Sequence, residues 1–256
     1  MQTNTRLLTL LLLPTLAVSA RAYDAILTTE HVDLGLAYVG GAWDLHVHDE
    51  TNLAEYAPGD ALLYVGAITK TTRPAGSQWD FFGNNAGEDL WVLPFTQNPN
   101  ALYLGIGAEE TAPGTFATYT ESDTRLGATP LDRTGEWVKL TLNAVNGPGH
   151  LTLYTFDGFN PVVWWSSSQG GVSAGDAAYA VAGGHNHFFW AFTAPGIYEV
   201  DVTASAFFGP GATNPTSDSA TYHFGVETVP EPGSAMLLGL GLAALGLRRP
   251  RRAVAA

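Results

Sequence analysis

The chain has 256 residues, a formal net charge of −13 at pH 7 and no cysteine. The missing cysteines exclude disulfides, thiolate catalysis and Cys-ligated zinc. The acidic balance excludes nucleic acid as a partner, because phosphates need cations to neutralise them.

The first segment reads "MQTNTRLLTLLLLPTLAVSARA". Arg6 precedes an apolar run over 7–18, and Ala20-Arg21-Ala22 forms an A-x-A cleavage signal. This is the grammar of a secretory signal peptide over residues 1–22. A run of about 12 residues is short of the ~20 that a membrane span needs. The Sec machinery and signal peptidase are the expected partners.

Residues 23–228 form the expected mature domain. They hold 23 of the 24 acids against five cations, Lys70, Arg73, Arg125, Arg133 and Lys139. Strand signals follow one another along them: "AWDLHVHD", "DALLYVGAI", "DLWVLPF", "ALYLGIG", "WVKLTLNAV", "HLTLYTF", "PVVWW", "AAYAVAG", "HFFWAFTA" and "GIYEVDVTASAFF". Each is short, rich in aromatic or β-branched residues and bounded by Gly, Pro, Asn or Asp. Asp157-Gly158 marks a hairpin turn, and Gly147-Pro148-Gly149 and Pro195-Gly196 mark breaks. "GPGATNPTSDS" (209–219) is the most loop-like stretch. No stretch keeps a helical apolar period over ten residues. The expected fold is all-β, an antiparallel β-sandwich of jelly-roll or Ig-like character.

Side chains alternate faces along a strand. In "WDLHVHDE" this places Asp44, His46, His48 and Glu50 on one face, while Leu45 and Val47 face inward. "GGHNH" repeats the pattern with His185 and His187, and "EHVD" adds His31 with Asp33 two residues on. Imidazole and carboxylate suit Zn²⁺, Mn²⁺ or Fe. Two H-x-H pairs on neighbouring strands are expected to supply a four-ligand site, with Asp44 or Glu50 as a fifth ligand and His31 as a further one. His150 and His223 stand singly and are read as structural.

Asp-x-His-x-His also opens many metal-dependent amidohydrolases. That superfamily is a (β/α)₈ barrel, and no strand here is followed by a helix-period segment. There is no G-x-S-x-G elbow and no phosphate-binding loop. The chain is therefore expected not to be an enzyme, with a metal-dependent hydrolase as the remote alternative. Trp164, Trp165 and Trp190 stack on sugars if exposed, so a carbohydrate-binding module is the nearer alternative, with exopolysaccharide as its partner.

The tail opens on Val229-Pro230-Glu231-Pro232, continues with an apolar run over 234–247 and ends in Arg248, Arg249, Arg251 and Arg252. As a helix the run spans about 21 Å, and its arginines stay on the cytoplasmic side. This three-part order over 229–256 resembles the PEP-CTERM sorting signal. The resemblance implies an exopolysaccharide-producing Gram-negative bacterium and an exosortase that removes the tail. It also implies a protein anchored in the inner membrane before processing and at the cell surface or in the matrix afterwards.

Four body segments also appear in a familiar order: "EHVDLGLAYVGGAWDLHVHDE", "EDLWVLPFTQNPNALYLGIG", "VNGPGHLTLYTFDGFNPVVWWSSSQG" and "GGHNHFFWAFTAPGIYEVDVTASA". Together they resemble the choice-of-anchor M domain, the surface-anchored repeat of actinobacterial wall proteins. The best-marked run is His185-x-His187, Trp190-Ala191-Phe192 and Pro195-Gly196-x-Tyr198. The resemblance implies a surface-anchored domain with no established catalysis, some of whose relatives are linked with metal-uptake transporters. It maps family histidines onto His31, His185 and His187, whereas His46 and His48 rest on spacing.

Overall fold

The computed structural model describes residues 22–229, apart from 121–122, 127–133, 169 and 210. Residues 1–21 of the expected signal peptide, with Ala20, and the tail from Pro230 onward, with its expected apolar helix, lie outside the described residues. Tyr23–Val229 is one compact unit. No helix among the described residues is long and apolar enough to cross a membrane.

Among the described residues sixteen strands follow in chain order: β1 (Ala25–Leu27), β2 (His31–Val39), β3 (Ala42–Asp49), β4 (Ala54–Tyr56), β5 (Ala61–Val65), β6 (Lys70–Thr72), β7 (Asp89–Leu93), β8 (Tyr103–Gly107), β9 (Trp137–Asn146), β10 (Leu151–Asp157), β11 (Asn160–Ser166), β12 (Ala177–Val181), β13 (His185–His187), β14 (Phe189–Phe192), β15 (Gly196–Ala206) and β16 (Thr216–Val226). Among the described residues helical structure is limited to short 3₁₀ turns at Ala67–Thr69, Ser77–Phe82 and Thr124–Leu126. The strands form a six-stranded sheet, β1-β5-β16-β15-β9-β12, and two five-stranded sheets, β11-β10-β14-β7-β6 and β13-β8-β2-β3-β4. The last of these carries the histidines.

All three sheets feed one continuous core. Buried indoles bolt them together. Trp165 on β11 donates to the Leu140 carbonyl of β9, and Trp190 on β14 donates to the Leu104 carbonyl of β8. The Tyr222 hydroxyl of β16 donates to the His46 carbonyl of β3. Each bond satisfies a polar group that burial would otherwise leave costly.

The all-β expectation stands, but the sheets are mixed rather than purely antiparallel. β1 with β5, β5 with β16, and β2 with β8 pair in parallel. Parallel neighbours need long crossovers, and here β8 returns beside β2 only after the chain has built strands in the other two sheets. The hairpin at Gly158 is present, with Asp157 paired to Asn160. The loop expected over 209–219 is shorter than its composition suggests, because β16 already begins at Thr216. Its polar start is held by pairing to β15, including a 2.7 Å hydroxyl contact between Thr203 and Ser219.

Candidate metal centre

In the histidine-bearing sheet, Val32, Leu34 and Leu36 of β2, Leu104 and Ile106 of β8, and Leu45 and Val47 of β3 are buried in the core. The alternate residues therefore share the opposite face. Cross-strand register sets them in two rows. One row runs His187, Gly105, Asp33, His48, Glu55. The other runs His185, Gly107, Gly35, His46. His31, at the start of β2, completes the face.

The glycines make the floor. A Cβ at Gly105 would lie 2.0 Å from Asp33 Oδ1, and one at Gly35 would lie 2.3 Å from His46 Nε2. One at Gly107 would lie 3.2 Å from the Asp33 Cβ. Only hydrogen at these positions lets the ionisable side chains fold over the sheet. A pocket lined by Asp33, Gly35, His46, His48, Gly107, Glu109 and Glu110 lies on this face.

Glu109 and Glu110 arrive on a tethered turn after β8. Ala108 exchanges backbone hydrogen bonds with Gly183 and Gly184, just before β13. Thr111 donates to the Leu36 carbonyl and accepts from the Tyr38 amide. Pinned at both ends, the turn directs Glu109 to His185, whose Nδ1 contacts Glu109 Oε1. It directs Glu110 to His46 and His48, at 3.7 and 3.6 Å.

Three groups of ligand atoms result, each with its members within 4.8 Å of one another: His31, His185 and His187; Asp33, Glu109 and His185; and His46, His48 and Glu110. His31 Nε2 and His187 Nε2 are 3.1 Å apart. Tyr103 stacks on the His187 ring at 3.7 Å and fixes its plane. Asp33 Oδ2 lies 3.9 Å from both His31 Nε2 and His185 Nδ1.

Burial dominates the electrostatics. Asp33 is 1 % exposed, and neither of its oxygens has a hydrogen-bond partner among the described residues. Desolvation pushes its carboxyl up to about 7, against the pull of His185. Desolvation and then the neighbouring His31 take His187 down to about 4. His31 is lowered by burial and by His185. Burial also acts to lower His185, but its bond to Glu109 and the nearby Asp33 carboxylate overcome this and raise it. Glu50 is raised by burial and by its hydrogen bond to Glu109.

All five histidines expected as ligands thus share one sheet face, although not as the sequence suggests. The two H-x-H pairs are not on neighbouring strands, since β8 and β2 lie between β13 and β3, and each pair gathers its own acids. Asp44 is 66 % exposed and 3.9 Å from His46 Nδ1, and it belongs to none of the three groups. Glu109 and Glu110 have no counterpart in the expected set. Their signal was the acid pair one residue after the glycine-punctuated strand "LGIG". His223 is buried on β16, where Tyr23 bonds its Nδ1 at 2.9 Å, as a structural histidine should be.

The tryptophans are a correction. Trp165 and Trp190 are fully buried and cannot stack on a sugar. Trp164 is partly buried against Phe188 and Tyr179, with its indole N–H bonded to Thr155.

Residues 228–252 match the PEP-CTERM protein-sorting motif. That motif belongs to exported, exosortase-processed proteins that are held in the membrane at the C-terminus before processing. No curated protein and no solved structure matches the chain.

Proposed function

We propose that this chain is a non-enzymatic surface or matrix protein with a choice-of-anchor M-like domain over 23–228. Its histidine-bearing sheet face binds a transition-metal ion through His31, Asp33, His185 and His187, with Glu109 completing the set. The observation that carries this reading is Asp33, a buried carboxylate with neither oxygen hydrogen-bonded among the described residues, set among imidazoles. Leaving such a group unpaired is costly, and nearby cationic charge removes the cost. Ligands on one tetrahedral ion at Zn–N distances of 2.0–2.1 Å stand about 3.3 Å apart. The His31–His187, His31–Asp33 and His185–Asp33 separations of 3.1–3.9 Å lie near that edge, and His185 links the two groups of ligand atoms. The nitrogen and oxygen donors, without sulfur, suit Zn²⁺, Mn²⁺ or Fe.

Elemental analysis of the full chain, purified after export and before and after chelation, tests the reading. Stoichiometric metal is expected, with one ion per chain lost when His185→Ala is combined with His187→Ala. A metal-free protein whose melting does not respond to Zn²⁺ or Mn²⁺ would sink it.

A further inference from the structure

His46 is 4 % exposed, yet its Nε2 has no hydrogen-bond partner among the described residues. Its tautomer is set from the other side of the ring. Nδ1 lies 3.2 Å from the Asp44 carbonyl, and since a carbonyl can only accept, Nδ1 carries the hydrogen. In the neutral imidazole Nε2 then holds a bare lone pair. A ring nitrogen bonded to a backbone carbonyl with its opposite nitrogen unprotonated is how proteins prepare a histidine for a metal.

That lone pair belongs to a built site. Glu110 presents one oxygen to each imidazole, Oε2 at 3.7 Å from His46 Nε2 and Oε1 at 3.6 Å from His48 Nδ1. Both distances are too long for hydrogen bonds. They are close to the ~3.3 Å edge between two ligands on one ion. Glu50 Oε1 lies 3.7 Å from the same His48 nitrogen, and it too is buried without a hydrogen-bond partner among the described residues. Gly35 keeps the space open, since a methyl group there would sit on His46 Nε2.

We propose that the sheet face holds a second, separate metal ion, bound by His46, His48 and Glu110 with Glu50 beside them. The inference rests on reading the face as a metal site, but it uses none of the residues assigned to the first ion. The two groups adjoin, Glu50 being hydrogen-bonded to Glu109, but their histidines start from different strands. β3 and β13 are three strand spacings apart, about 14 Å between backbones. His46 and His185 fall in different groups of mutually close ligand atoms among the described residues, and a single shared centre and two separate centres make different predictions.

The test is the number of ions held per full chain after equilibration with Zn²⁺ and removal of the excess, read by elemental analysis and by titration calorimetry. Two ions are expected in the wild type. One is expected when His46→Ala is combined with His48→Ala, and one again when His185→Ala is combined with His187→Ala. Because His46 is buried, its loss can disturb folding, so Glu110→Gln provides the second arm. Glu110 is exposed, and the substitution preserves shape while removing the charge. It is expected to weaken one binding event by at least the ~10-fold that even an outer-shell partner costs, and to leave the other unchanged. One ion per chain, insensitive to both the His46/His48 pair and Glu110→Gln, overturns the second site and leaves the first standing. One ion that depends only on His46, His48 and Glu110 supports the second site and overturns the first. No ion in any form overturns both.

Discussion

Asp33 carries a conflict between fold and charge that a bound cation would resolve. Its carboxyl is held at about 7 by burial, well above the value in an unfolded chain. Between roughly pH 4 and 7 the folded state therefore binds more protons at this position than the unfolded state does. Stability from this group is highest at low pH and is lost as pH rises through 7. Asp33→Asn removes that penalty, so the metal-free variant should melt several degrees above the metal-free wild type at pH 8 and show little gain at pH 4. The same variant should lose the part of the thermal response to Zn²⁺ that comes from the ion at His31, His185 and His187. His187 has the opposite sign. Its folded value of about 4 means that stability is present above the unfolded value of about 6.5 and is lost as pH falls towards 4. His187→Gln should flatten that acid limb in chelated protein, measured as melting temperature against pH. A His187→Gln melting curve still as steep as that of the wild type between pH 6.5 and 4 would contradict this assignment.

At the scale of the strand, the site depends on glycines as much as on ligands. β8 alternates Leu104 and Ile106 toward the core with Gly105 and Gly107 toward the site, and β2 contributes Gly35. A strand interior usually disfavours glycine, and its presence there marks a close approach of other groups. Gly105→Ala would place a methyl 2.0 Å from Asp33 Oδ1 and 3.0 Å from the Asn186 carbonyl oxygen of β13. Overpacking of this kind costs about 1–3 kcal/mol. The expected result is a melting point lower by several degrees and a metal response reduced together with it. An unchanged melting point would show that the floor is looser than the geometry implies. The alternating strand β3 could be read directly from "AWDLHVHD", because one face is apolar and the other ionisable. β2 and β16 were harder to read. "HVDLGLAYV" interrupts its alternation with glycine and alanine, and "TSDSATYHFGV" starts as a run of turn-formers that only pairing to β15 converts into strand.

At the scale of the molecule, two predictions follow from how the parts divide. A ligand that binds only the folded state stabilises it by about 2.7 kcal/mol at a concentration 100 times its Kd. For a domain of this size that is a rise of roughly 5–11 °C in Tm, expected for Zn²⁺ or Mn²⁺ and absent with Ca²⁺. Separately, replacing Pro230, Glu231 and Pro232 by alanine within the matched sorting motif should leave the tail uncleaved, read as the mass of the exported protein. A processed mass in that variant would exclude this triplet as the recognition element. The C-terminal sorting motif, the acidic charge and the β-rich class were all readable from the sequence, because each is a local property of composition, period or short-range order. The faces of individual strands were readable for the same reason. Which strands adjoin is not local. Whether His46 meets His185 or stands three strands away depends on the parallel return of β8 beside β2, a contact across about 70 residues that no spacing in the chain encodes. The same return brings Glu109 and Glu110 onto the face, and burial under the assembled sheet leaves Asp33 without a hydrogen-bond partner among the described residues. Tertiary structure alone decided that the histidines form two groups, because strand order sets the distances between them.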